Sequence, residues 1–492
     1  MTRPEKNQII ELEITNLAYG GEGVGRYEGY VVFVPWTVPG DRVRARLVQR
    51  KRDYGRAEVE EMLRESSLRV KPPCPYFSVC GGCRWQNLGY EDQLKFKQKI
   101  LQDELRIGKR SFIESPLSIL PAPEALYYRN KMEFTFGEWD GQMRLGLHRV
   151  GDYRQIVDLE ECLLQTHEAN RVYKKAREFL LDKCRDTTSP VSIYNKNTHH
   201  GLLRYLILRS GGGKVLVNLV TNEPDTDDQQ DTQSFLKQFV DTLKDMPEID
   251  GIIHSVSSTI SDAVKVEKET ILWGRDFLQE KVGKVRYNIH GRAFFQTNTA
   301  GTEILYDIVR EFAVRDFKQV ESEGNNEEAS SSVPARETGC RPTSRVILDL
   351  YCGVGSIGLY LADLAKELIG IEIIPEAIDQ ARENAVLNGC ANARFFTGDV
   401  QDVLSDPDNS ALKTGVDILI IDPPRGGMTN KALKRLLEVK APKMIYVSCN
   451  PTTLARDLEK IEEAGYTIID IRAVDMFPQT YHLETVVLLE KA

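Results

Sequence analysis

Alternating apolar and polar residues dominate the first seventy positions of the chain. Three such runs, at 9–18, 30–38 and 41–63, are separated by a glycine-rich stretch and by the turn Pro39-Gly40. A period of two places the apolar side chains on one face of a β-strand, and glycine and proline mark the turns between strands. About five short strands in so few residues predict a small β-barrel.

The middle of the chain mixes the two periods. A helical period covers residues 91–106, and repeated strand-like runs with one helical stretch at 166–182 fill residues 125–295. This mixture predicts a largely β or α+β central domain.

The last 150 residues alternate between strands and helices. Short apolar strands are separated by helical patterns at 356–366, 375–388, 429–438 and 451–464. Such alternation predicts a doubly wound parallel sheet of the α/β class, ending in a hairpin of residues 467–475 and 484–490.

These patterns divide the chain into three predicted domains, at 1–70, 71–295 and 296–492. Residues 318–345 have almost nothing apolar to bury, so we expect a disordered insertion there. The N-terminus lacks the apolar core of a signal peptide and no run of apolar residues is long enough to span a membrane, so a cytoplasmic location is expected.

Net charge alone does not point to a nucleic acid. The chain carries a formal charge of −9 and is 28% charged. The stretch Arg42 to Arg56 nevertheless holds seven cations against one acid. Because local cations attract phosphates whatever the total charge, this basic strand with Trp36 and Tyr54 nearby suits RNA contact. The alternative is that its charges only solvate an edge strand.

A glycine-rich turn follows the first strand of the C-terminal sheet. It runs from Asp349 through Tyr351 to Gly353 and Gly355, and glycines there let the backbone approach a ligand closely. Glu372 ends the next strand, where a carboxylate can bind ribose hydroxyls, and Asp399 ends the third, within reach of an adenine amino group. The glycine spacing fits neither NAD nor ATP, and the acidic turn suits the sulfonium of S-adenosylmethionine.

Two further strand ends carry reactive side chains. Asp422 and Cys449 each follow a predicted parallel strand, at the edge where such sheets bind ligands, and neighbouring prolines fix the backbone. A thiolate can add to C6 of uracil and make C5 enolate-like, after which a base must remove the C5 proton. Glu484, at the start of the last strand, is the candidate base, and His482 is its rival.

These motifs together resemble one known family, the RNA 5-methyluridine methyltransferases of the TrmA and RumA type. The resemblance covers essentially the whole chain and rests on five segments: Phe295 to Asn298, Asp349 to Gly355, Asp422 to Arg425, Ser448 to Pro451, and His482 to Glu484. It implies a Rossmann-like methyltransferase domain, Cys449 as the nucleophile and Glu484 as the proton abstractor. It also implies that the cofactor and uracil contact Gln296, Glu372, Asp399 and Asp422.

Four cysteines lie at spacings typical of metal ligands. Cys74, Cys80 and Cys83 form C-x5-C-x2-C, and Cys162 follows far downstream. Four thiolates suit zinc and an iron–sulfur cluster equally well by chemistry alone. The resemblance implies a 4Fe–4S cluster, because the RumA-like branch carries this pattern.

The barrel resembles a TRAM domain, an RNA-binding module that is frequent in the RumA-like branch. Barrel and cluster together imply a ribosomal substrate, the 23S RNA, with tRNA as the alternative. Two other hypotheses for the function remain: that the protein methylates C5 of cytosine, or that it is a non-catalytic RNA-binding iron–sulfur protein. No obligate protein partner is evident in the sequence.

Overall fold

The computed structural model of the chain describes residues 3–107, 117–186, 191–223, 229–259, 266–315, 345–413 and 415–491. Two compact units make up the chain. The first comprises Met1–Lys281, Asn288–Thr302 and Val474–Leu483, and the second comprises Val282–Tyr287, Glu303–Ala473 and Glu484–Ala492. The division into three domains stays a prediction, and the expected insertion at 318–345 lies, except for Arg345, outside the described residues.

The first unit begins with the predicted β-barrel, which is closed. Its strands follow the order β1-β2-β3-β5-β4. Apolar side chains alternate inward, among them Ile10, Leu12, Val43, Ala45 and Leu47. The strands are β1 (Ile9–Leu17), β2 (Gly23–Tyr27), β3 (Tyr30–Val34), β4 (Arg42–Arg50) and β5 (Tyr54–Arg64).

The first unit also contains a seven-stranded sheet, and two helices pack on one of its faces. The elements before the sheet are α1 (Tyr90–Ile107) and β6 (Ser118–Leu120). The sheet strands and helices, in chain order, are β7 (Lys131–Trp139), β8 (Gln142–Arg149), β9 (Asp152–Asp158), α2 (His167–Arg185), β10 (Leu203–Gly211), β11 (Lys214–Thr221), α3 (Gln229–Leu243), β12 (Ile249–Val256) and β13 (Lys268–Gly274). The strand order is β13-β12-β11-β10-β7-β8-β9, and only β11 and β12 are parallel.

The α+β character of this region agrees with the sequence pattern, but α3 was not predicted. The apolar side chains of α3, such as Phe235, Leu236 and Phe239, are buried in the same core as Phe134 and Tyr173. The acidic residues just before the helix favoured a loop, and burial of this apolar stripe outweighs that local preference.

The second unit is a mainly parallel sheet with helices. A hairpin, β14 (Phe277–Val282) and β15 (Val285–His290), contains the unit boundary. The elements that follow are α4 (Thr299–Val314), β16 (Arg345–Leu350), α5 (Ser356–Tyr360), β17 (Ala365–Glu372), α6 (Pro375–Leu387), β18 (Ala393–Thr397), α7 (Val400–Ser405), β19 (Ile418–Ile421), α8 (Asn430–Leu437), β20 (Lys443–Ser448), α9 (Pro451–Glu463), β21 (Tyr466–Val474) and β22 (Glu484–Lys491).

The predicted doubly wound sheet is confirmed. Its strand order is β18-β17-β16-β19-β20-β22-β21, and β22 runs antiparallel to β20. The helix predicted at 356–366 is shorter, because α5 ends at Tyr360 and a 3-10 turn at Ala362–Leu364 leads into β17. Among the described helices, none is both long and apolar enough to cross a membrane.

Candidate functional site

The glycine-rich turn after β16 has a left-handed backbone at three positions. Tyr351, Gly353 and Gly355 have φ angles of 63°, 54° and 76°. Just before them, Asp349 is buried, and its Oδ2 accepts a hydrogen bond from Gly358 N at 2.9 Å. Its Oδ1 is buried without a partner in the described part of the chain, and burial raises the pKa of this carboxyl to about 8. The turn therefore presents a buried acceptor that nothing yet satisfies.

Two further carboxylates lie at neighbouring strand ends. Glu372 accepts hydrogen bonds from Gly353 N at 3.2 Å and Ile374 N at 3.0 Å, which fixes it beside the turn. Asp399 caps α7 by accepting from Gln401 N at 2.9 Å. The side chain of Ile374 is 52% exposed, so an apolar surface lies next to the acids. Acids and apolar surface at the carboxyl ends of parallel strands suit an adenosine group.

The strand register brings Cys449 and Glu484 to the same edge of the sheet. Ser448 of β20 pairs with Thr485 of β22, so Cys449 and Glu484, each one residue further toward this edge, are cross-strand neighbours. Asp422 follows Ile421, which pairs with Tyr446 on the other side of β20. The sheet therefore brings together the predicted nucleophile, the predicted base and a third acidic side chain.

Burial opposes the ionisation of all three groups, and the charges of neighbouring acids add to its effect on Cys449 and Glu484. Burial, followed by the charges of Glu484 and Asp422, raises the pKa of the Cys449 thiol to about 12. Burial also raises the pKa of Asp422 to about 7 and raises that of Glu484 well above its ordinary value. One carboxyl oxygen of Glu484 is buried and has no partner among the described residues. Such shifted acids are typical of catalytic sites.

Two residues at this edge had no role in the sequence analysis. The positive charge of Arg425 lowers the pKa of both Cys449 and Glu484, partly offsetting the burial. Tyr306 donates a hydrogen bond to Ser356 Oγ at 2.8 Å, and burial, followed by the charge of Asp422, raises the pKa of its hydroxyl. Arg425 lay within a quoted motif, whereas nothing in the sequence marked Tyr306.

Two predicted site residues belong to the first unit. Gln296 is buried, and its backbone carbonyl accepts from Asn130 Nδ2 at 3.0 Å. His482, the rival base, packs its ring against Tyr481, with ring centroids 4.1 Å apart. The predicted contact of Gln296 with cofactor or uracil stays a prediction.

The four distant cysteines line one cavity of about 510 Å³ in the first unit. Cys80 Sγ accepts from Gly82 N at 3.4 Å, and Cys74 N donates to Gln86 Oε1 at 3.1 Å. Asn170 holds the fourth cysteine, accepting from Cys162 N at 3.1 Å and donating to its carbonyl at 2.9 Å. No three His, Cys, Asp or Glu side chains of the described segments lie close enough to hold a single ion.

Comparison with known proteins assigns the chain to a family. Residues 337–492 match the family model for tRNA (uracil-5-)-methyltransferases, and residues 3–59 match the TRAM domain. An uncharacterized RNA methyltransferase of Caldanaerobacter subterraneus is 37% identical over 99% of this chain and 100% of its own length. Another from Halalkalibacterium halodurans is 35% identical over 99% of this chain and 97% of its own length.

One solved structure matches this chain over nearly its full length. The tRNA (uracil-54, C5)-methyltransferase of Pyrococcus abyssi, in complex with S-adenosyl-L-homocysteine, is 28% identical and matches with a TM-score of 0.70. The match covers 98% of this chain and 100% of that one. The protein therefore belongs to the TrmA- and RumA-like tRNA (uracil-5-)-methyltransferase family of S-adenosylmethionine-dependent RNA methyltransferases, with a TRAM domain at its N-terminus.

Proposed function

We propose that this enzyme methylates C5 of a uridine in RNA through a covalent bond between Cys449 and C6 of the base. The observation that carries the proposal is the register of β20 and β22, which makes Cys449 and Glu484 cross-strand neighbours at the ligand-binding edge. A nucleophile and a base on one edge are what this chemistry requires.

The electron balance explains why both groups are needed. The Cys449 sulfur forms a bond to C6 while the thiol gives up its proton, and the C5–C6 π electrons shift toward C5 and O4 as an enolate. C5 then takes the methyl group as its bond to the sulfonium sulfur breaks, which leaves a neutral thioether, S-adenosylhomocysteine, and Glu484 takes the C5 proton. The C5–C6 double bond then forms again and the S–C6 bond breaks, which returns the sulfur as a thiolate.

The electrostatics of the site favour this order of events. Burial and then the charges of Glu484 and Asp422 raise the pKa of the Cys449 thiol, and burial and then the charge of Asp422 raise the pKa of Glu484, so two negative charges in the free site are costly. Asp422, with a pKa of about 7, is suited to receive the thiol proton at neutral pH. Once Asp422 has taken this proton, its charge no longer opposes the ionisation of Glu484, so the Glu484 carboxyl becomes a better base after addition.

S-adenosylmethionine, when bound, supplies the methyl group. The residues that we propose to hold it share one edge of the second unit and offer acids for the ribose and sulfonium, with a backbone that can approach closely. They are Asp349, Tyr351, Gly353, Gly355, Glu372, Asp399 and Asp422. The unsatisfied Asp349 Oδ1 supports this assignment, because buried carboxylate oxygens normally have partners.

Product analysis tests the proposed reaction. The protein should be incubated with RNA and S-adenosylmethionine labelled in the methyl group, and the RNA digested to nucleosides. We expect the label in 5-methyluridine. Label in 5-methylcytidine would establish the cytosine alternative, and no label in any nucleoside would favour a non-catalytic RNA-binding protein.

The RNA class is a finer proposal, for 23S rRNA. It rests on the combination of TRAM domain and cysteine set that resembles the RumA-like branch. The similarity to the Pyrococcus abyssi tRNA enzyme favours tRNA as the second candidate. Mapping 5-methyluridine in 23S rRNA and tRNA from a deletion strain separates them, since one modified position should disappear from one RNA only.

The four cysteines are proposed to hold a 4Fe–4S cluster. They line one cavity, as ligands of one cluster would, and Gly82 N already donates to Cys80 Sγ. Backbone donors to the sulfurs are one of the means by which proteins tune such clusters. When bound, the cluster would join the segment that carries Cys74, Cys80 and Cys83 to the loop that carries Cys162.

Cys80→Ala is expected to lower the iron content and abolish the brown colour of anaerobically purified protein, since one of four ligands is lost. It should also lower the midpoint of thermal unfolding, because ligand bonds supply folding free energy to the segments that they join. Cys184→Ala is the matched control, a buried thiol of the same unit outside the cavity. Stoichiometric zinc without iron in the wild-type protein would contradict the cluster.

The barrel is proposed to contact the RNA, but not through its whole basic strand. Arg42 pairs with Glu11 at 3.0 Å and Arg46 with Glu60 at 2.8 Å, and Arg44 pairs with Glu61. Paired cations release fewer counterions on binding phosphates than free ones. The sequence suggested an uncompensated stripe because the partner acids lie on other strands.

The cations of the β4–β5 turn are the better RNA contacts. Arg50 and Lys51 have no carboxylate partner in the part of the chain that the structure describes, and Arg52 lies 4.0 Å from Asp53. Tyr54 follows them and is 39% exposed, which offers a ring for base stacking.

Replacing Arg50, Lys51 and Arg52 together by Ala should weaken RNA binding and reduce the slope of log K against log salt by about 2, as expected for three lost contacts to single-stranded RNA. The matched control neutralises one pair, Arg46→Gln with Glu60→Gln, and should leave the slope nearly unchanged. The opposite outcome, a slope that depends on the pair and not on the turn, would place the RNA along β4.

A further inference from the structure

Hydrogen bonds hold the loop between β19 and α8 against α9, the helix that begins just after Cys449. This loop, residues 422–428, carries Asp422 and Arg425, whereas α9 starts two residues after Cys449. Asn450 Nδ2 donates to the carbonyl of Arg425 at 3.0 Å. Arg456 Nη2 donates to the carbonyls of Gly426 and Met428, each at 3.2 Å.

One buried carboxylate joins three parts of the second unit. Asp457 is 1% exposed, and its Oδ2 accepts from Met428 N of the loop at 3.0 Å and from Tyr446 Oη of β20 at 2.9 Å. Its Oδ1 accepts from Arg456 Nε at 2.9 Å. Tyr446 also pairs with Ile421, the residue before Asp422. The same residue of β20 therefore holds the start of the loop through strand pairing and the end of the loop through Asp457.

The loop sequence is adapted to these two side chains. Gly427 has a φ of 69°, and a Cβ atom at this position would lie 2.5 Å from Arg456 Nη2 and 2.8 Å from Asp457 Oδ2. Gly426 has open space around the same position. A side chain at position 427 would therefore displace the side chains of Arg456 and Asp457, whereas a methyl group at position 426 would contact neither of them.

We propose that Arg456 and Asp457 are positioning residues that fix Asp422 and Arg425 relative to Cys449. The proposal rests on the proposed role of Cys449 as nucleophile. The charged groups that face the thiol are Glu484 from β22, Asp422 from the end of β19 and Arg425 from the loop. Arg425 is the only cation among these three groups. Movement of the loop would therefore carry Arg425 away from the thiol, and the thiolate would lose the charge that stabilises it.

Asp457→Asn is the direct test, because it keeps the size of the side chain and removes its charge. We expect kcat to fall about 10- to 100-fold, as for a catalytic group displaced by about 1 Å, with little change in the KM for S-adenosylmethionine. Alkylation of Cys449 by iodoacetamide, followed on its peptide by mass spectrometry, should shift to higher pH. A residue that only stabilises the fold would lower the thermal midpoint without moving this pH profile.

Gly427→Ala should reproduce both effects, because its methyl group displaces Arg456 and Asp457, whereas Gly426→Ala should have a smaller effect. Lys460→Ala is the matched control on the same helix, since Lys460 bonds Asn430 and not the loop. Wild-type kcat and alkylation profile in folded Asp457→Asn would overturn the inference. Activity in Cys449→Ala would instead overturn the proposed function on which it rests.

Discussion

Cys449→Ala is expected to lower the rate of RNA methylation more than about 10⁴-fold, the scale of losing the nucleophile in enzymes that work by covalent catalysis. The physical reason is that C5 of uracil is too weak a nucleophile until a sulfur has added to C6. Binding of S-adenosylmethionine should be retained, because its proposed ligands lie at other strand ends. Single-turnover rates and calorimetric titration with the cofactor measure the two quantities.

Cys390→Ala is the matched control, since this half-buried thiol of the same unit lies outside the proposed site and should leave the rate unchanged. Retained turnover in a folded Cys449→Ala variant would contradict the nucleophile assignment. A loss of cofactor binding in that variant would show that the thiol acts in the cofactor site instead.

Glu484→Gln is expected to stop the reaction after methyl transfer, with the protein still bonded to the RNA. An amide cannot take the C5 proton, so the C5–C6 double bond cannot form again and the sulfur cannot leave. The product should be a stable protein–RNA adduct with normal RNA that carries the methyl group. Denaturing gel electrophoresis with labelled S-adenosylmethionine detects it.

Glu490→Gln serves as control, because Glu490 is a buried glutamate on the same strand at the far end, opposite Lys443. This variant should release methylated RNA normally. If Glu484→Gln formed no adduct and yet bound RNA and cofactor, the base would have to be sought elsewhere, with His482 as the first alternative.

The dependence of the rate on pH follows from the shifted groups. The pKa values of the Cys449 thiol and of the Asp422 and Glu484 carboxyls are all raised, so each ionises at a higher pH than usual. We therefore expect kcat/KM to increase as the pH rises through neutrality, because the Asp422 carboxylate, which takes the thiol proton, becomes more populated around its pKa of about 7.

The sequence predicted the elements of the second unit well because its strands are short, apolar and regularly spaced. Helix boundaries at α6, α8 and α9 agree within a residue or two. Prolines and glycines at strand ends also drew attention to residues of the proposed site, since a parallel sheet binds ligands at the carboxyl ends of its strands.

Other features depend on contacts between distant residues, which no local pattern encodes. The acids that neutralise Arg42, Arg44 and Arg46 come from β1 and β5, so the barrel is less basic than its β4 sequence indicates. Likewise, nothing in the sequence distinguishes Asp457 from other polar residues of a helix. Its role becomes visible only in the fold, where Tyr446 and Met428 donate hydrogen bonds to it.

The most direct test of covalent uridine methylation uses RNA that contains 5-fluorouridine. Fluorine at C5 cannot be abstracted as a proton, so the wild-type protein should stop as a covalent complex after methyl transfer. Proteolysis and mass spectrometry should locate one methylated 5-fluorouridine on the peptide that contains Cys449. An adduct on another residue, or continued release of methylated RNA with no adduct, would contradict the account.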